Sequence, residues 1–219
     1  YDSISNPFAK ESELPYHTIP FDKIKDADFG PAFKEAMKLH ADEIEKIAND
    51  TTPATFENVF VALEKSGAML NRVSAAFYVL TGANTNDRLQ KMEEEMAPVL
   101  AAHSDGIYLN EKLFRKVDEL YQQLPALPLD AESKRLAEVY HQKFVMAGAN
   151  LPDSGKAVLK KLNEEEAALS TKFSNQLLGA AKNAALTVDS KEALAGLSEA
   201  ELEAAAEAAK KDGKEGKLQ

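Results

Sequence analysis

Apolar residues recur at helical spacing along most of this chain. Phe33, Met37, Ile44 and Ile47 step by four, seven and three residues, which places them on one face of a helix. Pro31 suits a first turn, where its missing N–H is not needed. A helix is therefore predicted from Pro31 to a point before Pro53. Thr55 opens the next by accepting from a first-turn amide. That helix carries the clearest stripe of all: Phe56, Val59, Phe60, Leu63, Leu70, Val73, Phe77 and Leu80. Gly67 lies within the stripe and weakens the helix by ~1 kcal/mol relative to alanine unless a neighbour packs close there. Gly82 and Asn84 end it.

The same reading continues downstream. Thr85 or Asn86 starts a helix through Leu89, Met92, Met96 and Leu100, which Pro98 should kink or divide. Asn110 caps another with Leu113, Phe114, Val117, Leu120 and Tyr121, closed by Pro125 and Pro128. Asp130 caps a fifth, ending at Gly148. Asp153 caps a long sixth with Leu159, Leu162, Leu169, Phe173 and Leu177. Residues 185–188 suit a short strand, and Ser198 with Glu201 forms a capping box for a last helix poor in large apolar residues. Upstream, Pro7, Pro15 and Pro20 keep residues 1–29 out of regular helix, while Phe8, Tyr16, Ile19, Phe21 and Ile24 are apolar enough to pin this arm to a core. The fold class is all-α, an antiparallel array of about six to seven helices with at most one short strand pair. Three regions follow: an arm over 1–29, a helical domain over 30–188, and a marginal helix with a linker over 189–219.

Composition narrows what such an array does. The net charge is −10, and Arg72, Arg88, Arg115 and Arg135 are widely separated, so a polyanion meets repulsion and nucleic-acid binding is excluded. No stretch reaches the ~20 apolar residues of a membrane-spanning helix. The absence of cysteine removes disulfides, thiolate nucleophiles and cysteine-based metal sites. The start at Tyr1 rather than Met favours an exported, periplasmic or envelope protein, with the cytoplasm as the alternative.

Candidate chemistry is sparse. None of His17, His40, His103 and His141 is followed by Glu, so the HExxH zinc motif is missing. His40 with Glu43, and Glu138 with His141, sit three residues apart and are expected to be ordinary ion pairs. There is no Gly-x-Ser-x-Gly elbow and no phosphate loop. Two turns, over 80–87 and 146–151, carry glycine and asparagine and are expected to be structural, with channel lining as the functional alternative. No catalytic, cofactor-binding or metal-ligating residue is assigned.

Several stretches together resemble a known family. They are residues 21–33 (FDKIKDADFGPAF), Pro53–Asn58, Ala62-Leu63-Glu64, Arg72–Phe77, Glu94–Pro98, His103-Ser104-Asp105 and Asn163–Glu166. In order and spacing they are similar to the opening of the thimet-oligopeptidase-like M3 zinc metallopeptidases, nearest the peptidyl-dipeptidases of that family. The resemblance implies an all-helical protein roughly three times this long, with a channel between two lobes. It implies zinc held in the later part by two histidines of HExxH and a downstream Glu, and release of dipeptides from the C-termini of short peptides. This chain would then be the N-terminal scaffold that lines and restricts the channel, inactive alone and without a cofactor of its own. Its partners would be the C-terminal catalytic lobe and short peptides. A standalone helical module binding peptides or proteins is the alternative.

Overall fold

The structure, a computed structural model, describes residues 6–219, with the backbone alone at Lys182. The first five residues of the predicted arm lie outside the described residues. Among those described, the architecture is all-α, as the apolar spacing predicts. The helices are α1 (Asp26–Asn49), α2 (Ala62–Lys65), α3 (Ala68–Ala83), α4 (Asp87–Tyr108), α5 (Glu111–Gln123), α6 (Ala131–Met146), α7 (Asp153–Asn183) and α8 (Glu199–Lys211). The chain divides into two compact units, the first ending at Thr171 and the second running from Lys172 to Gln219.

In the first unit α1 serves two buried clusters. Its N-terminal half gives Phe29, Phe33 and Ala36 to a cluster shared with Phe8, Val73 and Phe77 of α3, and Leu89 of α4. Phe77 meets Phe29 and Phe33 edge-on, at centroid distances of 5.2 and 5.3 Å, the geometry that aromatic quadrupoles favour. Its C-terminal half gives Ile44 and Ile47 to a second cluster with Phe60, Leu113 and Val117 of α5, and Phe144 of α6. Asn86, Asn110 and Asp130 cap α4, α5 and α6, accepting from the amide of the third helical residue at 3.0, 3.0 and 2.7 Å. These are the caps that the sequence predicts.

Several boundaries differ from the expectation. Helix α1 begins at Asp26, five residues before Pro31. Asp28 accepts from the Lys25 amide at 2.8 Å and closes a first turn, and Phe29 is already fully buried. Pro31 therefore lies inside the helix. Thr55 does cap the next segment, through reciprocal bonds with Asn58 of 3.1 and 2.7 Å, but that segment is a π-helical turn (Glu57–Val61) running into the single turn of α2. It stops at Ser66, and Gly67 takes φ +70° to start α3. The predicted single stripe thus belongs to two helices. Helix α4 continues through Pro98 undivided. Asp153 sits in the first turn of α7 instead of capping it. In the arm, Phe8 is buried against Phe29 at 5.4 Å. Tyr16, expected to help pin the arm, is fully exposed with φ 59°.

The second unit is held by small contacts. Ser198 and Glu201 make the predicted capping box of α8. Leu202, Ala209 and Leu218 are buried. Residues 185–188 give only an antiparallel bridge, with backbone bonds of 2.9 and 3.0 Å between Val188 and Leu218. Lys214 donates to Thr187 and Gln219, each at 3.1 Å.

Candidate functional site

The histidines are the only side chains here whose ordinary titration lies near neutral pH, and the fold gathers two of them. His40 on α1 and His103 on α4 lie 63 positions apart in sequence, yet His103 Nε2 is 3.0 Å from His40 Nδ1. The other nitrogen of His40 is 3.2 Å from Ser66 Oγ, which donates to the Leu63 carbonyl at 2.7 Å. We assign the protons from this chain of contacts. With both rings neutral, His103 donates to His40, His40 donates to Ser66, and Ser66 donates to Leu63. Each donor along this chain then has an acceptor.

Burial holds both rings in that state. It lowers the His40 pKa below the usual imidazole value, against an opposing pull from the Glu43 carboxylate. It lowers that of His103 too, and His40 adds to the effect. The turn beside them is built around the ring: Gly67 donates its amide to Glu43 Oε2 at 2.7 Å. A Cβ on Gly67 would stand 2.9 Å from His40 Cε1 and Nδ1.

A polar cleft of about 270 Å³ is lined by His40, and Glu64, Ser66, Asn71, Tyr108, Tyr140 and Lys143 share in it. Tyr140 donates to Glu64 Oε1 at 2.6 Å. Burial raises the Tyr140 phenol well above its usual value, and the bond to the Glu64 carboxylate raises it further. Tyr108 is raised by burial and then by Glu64. Both phenols stay protonated, and Tyr140 acts as a donor to Glu64.

Both expected ion pairs are replaced. Glu43 serves the Gly67 amide while His40 faces His103. Glu138 pairs with Arg135 at 2.9 Å on its own helix. His141 reaches across to Asp118 on α5 at 2.9 Å and stacks on Tyr121, with ring centroids 3.8 Å apart and planes within 6°. His17 lies in the arm, 2.9 Å from the Ser12 carbonyl. Spacing along one helix suggested the wrong partners because the right ones come from neighbouring helices. No pattern within a single helix signals a contact 63 residues away.

The two turns singled out in the sequence have structural roles. Asn84 follows the end of α3, and Asn86 both caps α4 and donates to Asp26 at 3.0 Å. Gly148 takes φ +96°, with Leu159 and Leu151 in the space its Cβ would need. Among the described residues no group of three or more histidine or carboxylate side chains is placed to hold a metal ion. His40 Nδ1 and His103 Nε2 are turned toward each other and His40 Nε2 toward Ser66, so the pair is not an open ligand set.

Comparison with known proteins gives the same relatives along nearly the whole chain. It is 47% identical over 211 residues to a dipeptidyl carboxypeptidase of Salmonella typhimurium and 45% identical over 212 residues to that of Escherichia coli. These alignments cover 96% and 97% of this chain but 31% of each relative. Oligopeptidase A of Escherichia coli is 24% identical over 202 residues, covering 92% of the chain and 29% of that protein. The chain thus spans about a third of the length of the curated relatives it matches. No protein-family profile matches it.

Proposed function

From a chain homologous over most of its length to the M3-family dipeptidyl carboxypeptidases and oligopeptidases A, we propose a helical scaffold for a zinc peptidase that releases dipeptides from the C-termini of short peptides. In this reading the helices line and restrict a substrate channel, and the catalytic zinc is held by residues outside the 219. The observation that carries it is 47% identity across 96% of the chain to a dipeptidyl carboxypeptidase about three times as long.

The chemistry of the chain supports that division of labour. Peptide hydrolysis on zinc needs three protein ligands, an open position and a base that activates water. Here His40 is taken up by His103 and Ser66, His141 is taken by Asp118, and HExxH is lacking. The residues present do not fit the metal. What they do fit is a wall, because polar contacts at the cleft tie separate helices together: Ser66 meets His40 of α1, and Tyr140 of α6 donates to Glu64 of α2.

The test is dipeptide release from a short unblocked peptide, with zinc supplied. The 219-residue chain should release none. A longer polypeptide that includes it and carries HExxH should release dipeptides and lose that activity to a chelator. Zinc-dependent release by the 219 residues alone would defeat the proposal.

A further inference from the structure

The first-unit part of helix α7 packs through one mixed polar and apolar face and leaves a second, apolar face exposed. Within its first-unit part, Lys156 alone is buried. On that side Asn163 donates to both carboxylate oxygens of the buried Asp105, at 2.8 and 3.1 Å, and Leu159 packs where a Gly148 Cβ would lie. At 3.6 residues per turn, Val158, Leu162 and Leu169 fall together about 110° round the helix from those contacts. They are 59%, 55% and 59% exposed, over a rise of about 16 Å. Lys161, Glu165 and Glu166 stand beside them.

An amphipathic helix ordinarily turns its apolar stripe toward a core, and helices draw most of their stability from covering their apolar faces. The alignments with the dipeptidyl carboxypeptidases cover nearly all of this chain, yet about two thirds of each relative lies outside them. We propose that Val158, Leu162 and Leu169 form the docking surface for that remaining part, the catalytic portion of the same polypeptide. It would supply an apolar ridge with a cationic border facing Glu165 and Glu166. This rests on the function proposed above.

Backbone amide exchange over residues 156–170 tests it, measured in the 219-residue chain and in the longer polypeptide. Exchange should be at least tenfold slower in the longer one. The double variant Leu162→Asp, Leu169→Asp should leave the unfolding midpoint of the 219-residue chain unchanged, because both side chains are already in water, and should abolish the extra protection in the longer polypeptide. Equal exchange in the two proteins overturns the proposal. So does a variant that unfolds the short chain as readily as the long one. Dimers of the short chain seen by light scattering and dissolved by the double variant would give the surface to a second copy, and also overturn it. A longer polypeptide that protects α7 but releases no dipeptide defeats the function and leaves the docking surface standing. One that is active with α7 unprotected does the reverse.

Discussion

Helices α5 and α7 carry the same kind of sequence and meet opposite fates. Leu113, Val117 and Leu120 recur at four and three residues and are buried. Val158, Leu162 and Leu169 recur at four and seven and are more than half exposed. Periodicity states that a face is available for burial; it does not state that anything covers it. In α5 the cover comes from α1, α6 and the π-helical turn. In α7 the corresponding face has none of these.

The comparison breaks most visibly under truncation. Leu113→Ala should cost about 2–5 kcal/mol, since it removes a fully buried side chain and leaves a cavity. Leu162→Ala should stay within about 0.5 kcal/mol in the same chain, as exposed substitutions do. Urea unfolding of both variants measures the contrast. If the two losses are equal, α7 is covered in solution and the contrast drawn here is wrong.

Helix existence, the α4, α5, α6 and α8 caps and the all-α class were legible because they depend on neighbours within a turn or two. Asn110 accepting from Leu113, or Ser198 with Glu201, needs no knowledge of the rest of the chain. What was hidden depends on distant partners. Pro31 looked like a helix start because its ring fits a first turn, but burial of Phe29 and the Asp28 bond to Lys25 carried the helix further back. The break at Gly67 was hidden because the stripe keeps its spacing across it, while the reason for the break, the His40 ring, lies 27 positions upstream. For the same reason the His40–His103 contact escaped a reading confined to single helices.

Gly67 sharpens the comparison between used and unused surface at one backbone position. Gly67→Ala puts a Cβ at φ +70° and 2.9 Å from the His40 ring. A loss of about 1–3 kcal/mol is expected, from left-handed strain and the displaced ring. Gly82 is the control: it lies in α3 with nothing within 4 Å of an added Cβ. Gly82→Ala should gain about 0.5–1 kcal/mol, because alanine loses less backbone freedom on folding. Thermal unfolding distinguishes them by sign, and a neutral Gly67→Ala would show that His40 does not set the turn.

The smallest effect expected is the pH dependence of the His40–His103 junction, since both rings are about half-buried and solvent weakens their interactions. In the unfolded chain each titrates near 6.5. In the folded chain both sit lower, through burial above all. Between the folded and unfolded values the unfolded state binds protons that the folded state does not, so stability falls as pH falls. Their contribution is therefore complete above about 6.5, declines below it, and levels off once the pH passes the folded values. Glu43 on α1 opposes the decline by favouring a charged His40. His103→Gln keeps an amide donor toward His40 Nδ1 but cannot take up a proton, so its unfolding midpoint should depend less steeply on pH between 5 and 7. Leu162→Ala, on a face without titrating partners in the junction, should keep the parent slope. Parallel pH profiles for His103→Gln and the parent would mean that the junction is already open to water and titrates like a free surface.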